Sequence, residues 1–152
     1  MSFRVDERGV LMSCPQCHTA NRIAFARLGD RARCASCKID LPVITEPIEV
    51  STVAQFDALV EHGSLAVLVD FWAPWCGPCR AVAPEVEKVA YTLRGRLVAA
   101  KVNTDALPEL AERYVVRSIP LLAVFREGRE VARMAGAIPA AEIIKLAEPA
   151  MV

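Results

Sequence analysis

The 152-residue chain is notable first for what it lacks. It carries no net charge, with 18 Lys/Arg against 18 Asp/Glu. A balanced charge gives no general attraction to nucleic acid or to an anionic membrane. No apolar run approaches the roughly 18 residues of a membrane span; "LAVLV" at 65–69 is the sort of run it has instead. The opening "MSFRVDERGV" places charges where a secretory leader would need an apolar stretch, so a cytoplasmic protein is expected. No repeat of 20–50 residues is present beyond a duplicated pair of cysteines.

The chain does have six cysteines, all in Cys-x-x-Cys pairs: Cys14/Cys17, Cys34/Cys37 and Cys76/Cys79. In a reducing compartment such pairs hold metal or carry electrons more often than they form structural bridges. The first two pairs are separated by sixteen residues, the spacing of a structural zinc site. Each knuckle aims two sulfurs at one point, and two knuckles complete a tetrahedron around one zinc ion. A segment this short cannot bury much core, so metal binding is expected to supply much of its folding free energy. Knuckles of this kind often have glycine after the second cysteine; His18 and Lys38 stand there instead. His18 is read as a surface residue, because four thiolates fill the shell. Two local or crossed disulfides are the alternative reading of these four cysteines.

Residues 1–45 are net positive by three and the remainder net negative by three. Arg22, Arg27, Arg31 and Arg33 lie among few aromatics, so a nucleic-acid role for the segment is the weaker reading. Pro42 and Pro47 mark an extended linker, and the boundary is placed near residue 45, giving domains 1–45 and 46–152.

Beyond it, helix and strand signals alternate. Thr52 and Gln55 form a capping box before a helix with Val53, Phe56, Leu59 and Val60 on one face, stopped by Gly63. Residues 65–72 and 97–102 are apolar enough for strands buried on both faces. A helix over 79–93 carries Pro84, which is expected to kink it. A short helix begins at Pro108, a hairpin turns at Gly128, and a last helix follows Pro139 with Ile143, Ile144 and Ala147 inward. A short strand at 48–50 precedes the series. The order implies an α/β fold with a mixed sheet covered by helices.

Cys76 and Cys79 have no second pair nearby to share a metal with. They fall where a buried strand passes into a helix, and unpaired N–H groups at that helix start favour a thiolate. Cys76 is expected to be the exposed nucleophile and Cys79 the shielded resolving thiol. Gly77 and Pro78 keep the turn compact.

The stretch "VDFWAPWCGPC" (69–79), "SIP" (118–120), "FREGR" and "MAGA" together resemble the thioredoxin family over residues 46–152. The ribbon in front resembles the N-terminal extension of the second bacterial type. The resemblance implies a thioredoxin fold, a cis bond before Pro120, and a protein-disulfide reductase that attacks substrates through Cys76. It implies that Asp70 lies buried beneath the pair to help deprotonate Cys79, with Lys101 near that acid. It assigns Trp75, Gly77, Pro78, Ile119, Pro120 and Gly136 to a docking surface. Partners would be disulfide-containing proteins and an NADPH-dependent reductase, with the chain a monomer. Leu121 departs from the threonine common after the cis proline. Two other functions fit these motifs: a disulfide isomerase or oxidase, and a redox-regulated zinc module acting as chaperone or sensor.

Overall fold

The structure is a computed structural model and describes residues 3–151. Strands β1 (Arg4–Val5), β2 (Gly9–Ser13) and β3 (Ala20–Ala24) form a small antiparallel sheet in that order. The β2–β3 hairpin closes around Cys14–Cys17, with Ser13 opposite Ala20. A second turn at Cys34–Cys37 is closed by an isolated bridge between Arg33 and Asp40.

A five-stranded mixed sheet follows. Its strands are β4 (Ile48–Val50), β5 (Ala66–Trp72), β6 (Leu97–Asn103), β7 (Leu121–Arg126) and β8 (Arg129–Ala135), in the order β4-β6-β5-β7-β8. The first three run parallel, whereas β7 and β8 are antiparallel additions. Alternation along β5 divides the core. Val67, Val69 and Phe71 face α1 (Val53–His62) and α3 (Pro108–Arg113), while Leu68 faces α2 (Gly77–Thr92) and α4 (Ala140–Ala147). Parity therefore puts Asp70 and Trp72 on the α2 side.

Local sequence accounts for the helix ends. The Thr52 side chain accepts from the Gln55 N–H at 3.1 Å, and Gln55 Oε1 accepts from the Ser51 N–H at 2.9 Å. Gly63 ends α1 in extended conformation (φ −66°), not left-handed. Its requirement is space: a Cβ there would lie 2.5 Å from the Leu59 carbonyl oxygen. Helix α2 starts two residues earlier than expected and is continuous through Pro84. Ile143 and Ala147 are fully buried on α4, with Ile144 only partly so. The β7–β8 turn has positive φ at both Glu127 (53°) and Gly128 (79°), the type I′ geometry that suits strand twist.

The N-terminal sheet does not rest on its cysteines alone. Val10, Met12, Phe25 and Leu41 belong to the same apolar cluster as Ile48, Phe56 and Leu59. The Ser64 N–H donates to the Phe25 carbonyl at 3.2 Å, and the Gly29 N–H to Ser64 Oγ at 3.4 Å. Metal is expected to supply much of this segment's folding free energy, and burial against α1 and β4 contributes as well.

Candidate functional site

The four N-terminal cysteines come together. Their Sγ atoms all lie within 4.8 Å of one another, and none is in a disulfide. The short distances run between knuckles: Cys14 to Cys37 and Cys17 to Cys34, each 3.6 Å. A tetrahedron with Zn–S bonds of about 2.3 Å has S···S edges of about 3.8 Å, so the four thiols fit one zinc.

The two knuckles share one backbone design. The Cys14 N–H donates to Thr19 O and the His18 N–H to Cys14 O; Cys34–Ile39 and Lys38–Cys34 repeat this at the same 2.9 and 3.0 Å. His18 (φ 64°) and Lys38 (φ 68°) take the left-handed conformation despite having side chains. Asn21, which sequence reasoning missed, is 7% exposed and joins the knuckles. Its amide nitrogen reaches Cys34 Sγ at 3.5 Å and its oxygen accepts from the Ala35 N–H at 3.0 Å. The Cys37 N–H, helped by Asn21, holds the Cys34 thiol down at about 6. Such donors favour the thiolate a metal requires. No periodicity or spacing flagged Asn21, since its partner lies thirteen residues on in an irregular loop.

The third pair lies elsewhere, at the carboxyl end of β5. Cys76 is the N-cap of α2, and its Sγ accepts from the Cys79 N–H at 3.2 Å. Cys76 and Cys79 are joined in a disulfide. The expectation that Cys76 is exposed does not hold in this oxidised form. Cys76 is 3% and Cys79 4% exposed, because the bond covers both sulfurs and Trp72 and Ile119 pack against them. The open side is formed by neighbours. Trp75 is 67% exposed, Gly77 and Pro78 are exposed, and a Cβ at Gly77 would meet nothing within 4 Å.

Opposite this face the Ile119–Pro120 bond is cis, and the Ile119 carbonyl oxygen lies 3.8 Å from Cys76 Sγ. Gly136 (φ 104°) donates its N–H to Pro120 O at 2.9 Å, tying the end of β8 to the cis-proline loop. Asp105, also missed in the sequence, accepts from Trp75 Nε1 at 3.0 Å and orients the exposed indole. Leu121 is buried and lies in register with Phe71 and Ala135.

Asp70 is 1% exposed, and neither carboxylate oxygen has a hydrogen-bond partner among the described residues. Burial pushes its pKa up to about 6, opposed by Lys101 and reinforced by Glu49. Lys101 is the register partner of both Asp70 on β5 and Glu49 on β4. Glu49 went unremarked in the sequence; its own pKa is raised by burial and lowered by Lys101. An acid near neutrality can take or give a proton, and a helix-start thiol beside an exposed face can attack sulfur. Among the described residues, no helix is long and apolar enough to cross a membrane.

The family model described as thioredoxin matches residues 47–148, and that described as the N-terminal region of thioredoxin 2 matches residues 13–38. A chloroplastic M-type thioredoxin of Chlamydomonas reinhardtii is 37% identical over 134 residues, covering 88% of this chain and 90% of the relative. Thioredoxin 1 of Synechococcus elongatus is 49% identical over 88 residues, 58% of this chain and 82% of its own. Among solved structures, an N21Q mutant thioredoxin from Halobacterium salinarum NRC-1 is similar with a TM-score of 0.67 and 30% identity, covering 74% of this chain and 96% of that one.

Proposed function

The chain belongs to the thioredoxin family, as a disulfide oxidoreductase with the N-terminal zinc ribbon of thioredoxin 2, and we propose that it works as a cytoplasmic protein-disulfide reductase. The observation that carries this reading is the position of Cys76: it caps α2, its sulfur accepts the Cys79 N–H, and it abuts the cis Ile119–Pro120 bond. A thiolate there is stabilised by the helix start and faces a surface open to a second polypeptide.

In the reduced protein, Cys76 thiolate attacks one sulfur of a substrate disulfide. The substrate S–S bond breaks, a mixed disulfide forms, and the departing substrate thiolate takes a proton. Asp70 carboxylate removes the Cys79 proton, helped by a pKa close to neutrality. Cys79 thiolate then attacks Cys76 Sγ, closing the Cys76–Cys79 disulfide and expelling the second substrate sulfur as a thiol. Two electrons pass to substrate with two protons, one from Cys79 by way of Asp70 and one from solvent, which had received it when Cys76 ionised. Lys101 moderates the charge of Asp70 across the sheet. Trp75, Gly77, Pro78, Ile119, Pro120 and Gly136 form the docking face. An NADPH-dependent flavoprotein reductase returns the electrons, and the protein acts as a monomer.

Cys14, Cys17, Cys34 and Cys37 would hold one zinc ion, which would cross-link the ribbon; we place that ribbon at residues 1–45 ahead of a catalytic domain at 46–152. Bound there, zinc supplies a closed structural centre and no open coordination position. The reading is tested with Cys79→Ser, which should accumulate a mixed disulfide between Cys76 and substrate visible by non-reducing mass spectrometry. Cys76→Ser should form none. A mixed disulfide carried by any other cysteine would refute the assignment. A reduction potential near about −270 mV fits a reductase, and one above about −200 mV fits an oxidase or isomerase.

A further inference from the structure

The four arginines of the ribbon come together in the fold. Arg22, Arg27, Arg31 and Arg33 are all exposed and all line one cleft of about 350 Å³. Residues 22–24 of β3 form one wall of it and residues 30–33 the other. Their carboxylate partners are fewer. Arg22 Nη2 lies 2.7 Å from Asp6, Arg27 Nε 2.7 Å from Asp30, and Arg31 Nη2 2.8 Å from Asp40. Arg33 approaches to 3.7 Å the Asp40 carboxylate that Arg31 already holds, and its side chain makes no hydrogen bond among the described residues. Four guanidiniums thus share three carboxylates, and a further carboxylate in the cleft relieves their mutual repulsion.

The wall formed by β3 is also the free edge of its sheet, because β3 pairs with β2 on one side and ends the strand order. Two backbone bonds fix the alternation of that pairing. The Cys14 N–H donates to Thr19 O at 2.9 Å, and the Asp6 N–H donates to Gly9 O at 3.1 Å on the opposite side of β2. Met12–Asn21 and Val10–Ile23 are therefore the hydrogen-bonded pairs, and Leu11–Arg22 and Gly9–Ala24 the non-bonded ones. It follows that the Arg22 N–H and C=O and the Ala24 N–H point away from β2, to the side where the cleft lies. An unpaired strand edge accepts an extended chain by adding backbone hydrogen bonds.

We propose that this cleft is a docking site for an extended acidic segment of a partner polypeptide. The segment pairs with β3 through the Arg22 and Ala24 backbone and sets carboxylates against Arg27 and Arg33. Carboxylates match the forked donors of a guanidinium. Residues 1–45 are net positive by three and the remainder net negative by three, so an acidic partner is steered to the ribbon. Nucleic acid fits less well. The cleft has no aromatic side chain in its lining to stack on a base, and the aspartates already offset most of the arginine charge. The site uses neither the Cys76–Cys79 chemistry nor the face around it, so it stands apart from the reductase reading.

The test titrates the full protein with a fluorescent peptide of alternating Glu and Val, its Lys–Val counterpart, and an oligothymidylate of equal negative charge. The Glu–Val peptide should bind best, more weakly as salt rises, and the Arg22 and Ala24 amides should gain protection from hydrogen exchange. Arg27→Gln combined with Arg33→Gln should weaken binding by about tenfold, with zinc content and melting temperature unchanged. Ala24→Pro removes the outward N–H at a φ of −58°, which proline tolerates, and should weaken binding severalfold with every charge in place. No binding of the Glu–Val peptide, or binding that Ala24→Pro leaves intact, overturns the proposal. Tighter binding of the oligothymidylate overturns it in favour of nucleic acid. Self-association that the same substitutions abolish overturns it in favour of a second copy of this chain.

Discussion

Asp70 and Lys101 are register partners on adjacent parallel strands, yet no hydrogen bond joins their side chains among the described residues. The Lys101 ammonium instead lies 4.8 Å from the centre of the Trp72 ring, and Asp70 is left buried without a hydrogen-bond partner. The lysine acts on the acid at a distance, so desolvation prevails and the carboxyl pKa rises to about 6.

This makes Asp70 a liability to stability when ionised. Its folded pKa lies above the unfolded value of 3.8, so the native state binds more protons between about pH 4 and 6, and stability falls as pH rises through that window. Above it the cost levels off near ~3 kcal/mol, taking 1.36 kcal/mol per unit. Asp70→Asn should therefore stabilise the protein by about 2–3 kcal/mol at pH 7 and by little at pH 4. Denaturant unfolding at the two pH values checks this; equal effects at both would contradict it.

Glu49 competes for the same lysine from the other side of β6. Glu49→Gln removes that competition and the repulsion on Asp70, so the Asp70 titration should move to lower pH. Carboxyl NMR of Asp70, or the acid limb of the pH–rate profile, measures the shift. An upward movement would refute the coupling.

Asn21 donates to one zinc-site sulfur and accepts from the backbone of the second knuckle. Asn21→Ala should weaken zinc affinity by about ten- to a hundredfold without changing the six cysteines. Competition with a chromogenic chelator measures it. An unaltered affinity would reduce Asn21 to a loop support.

Gly63→Ala inserts a Cβ 2.5 Å from the Leu59 carbonyl oxygen, contact that the end of α1 must relieve by moving. A loss of at least about 1 kcal/mol is expected from thermal unfolding, because neighbouring Ser64 and Leu65 also meet the ribbon. A neutral substitution would mean that α1 yields there freely.

Chemistry written in local spacing was legible in the sequence. Two cysteine pairs sixteen residues apart converge as expected, and the strand–helix junction at Cys76 sits where the apolar run and the motif place it. What was not legible depends on pairings between distant segments. Glu49 joins Lys101 through strands separated by about fifty residues in sequence, and Asn21 acts through a loop without periodicity. Gly63 could be recognised as a helix stop but not as a close approach, since its φ follows from the chain's return toward Leu65. Val115 resembles any exposed valine until, at the end of α3, its N–H donates to Glu112 O and the Val116 N–H to Ala111 O, which holds it left-handed.

The central claim is a division of labour among the three cysteine pairs. Its most direct test is mass-mapped alkylation of the reduced, folded protein with zinc content measured in parallel. The account predicts one zinc per chain and Cys76 as the fastest thiol, with Cys14, Cys17, Cys34 and Cys37 protected until a chelator removes the metal. Alkylation of those four ahead of Cys76 with zinc still bound would contradict it.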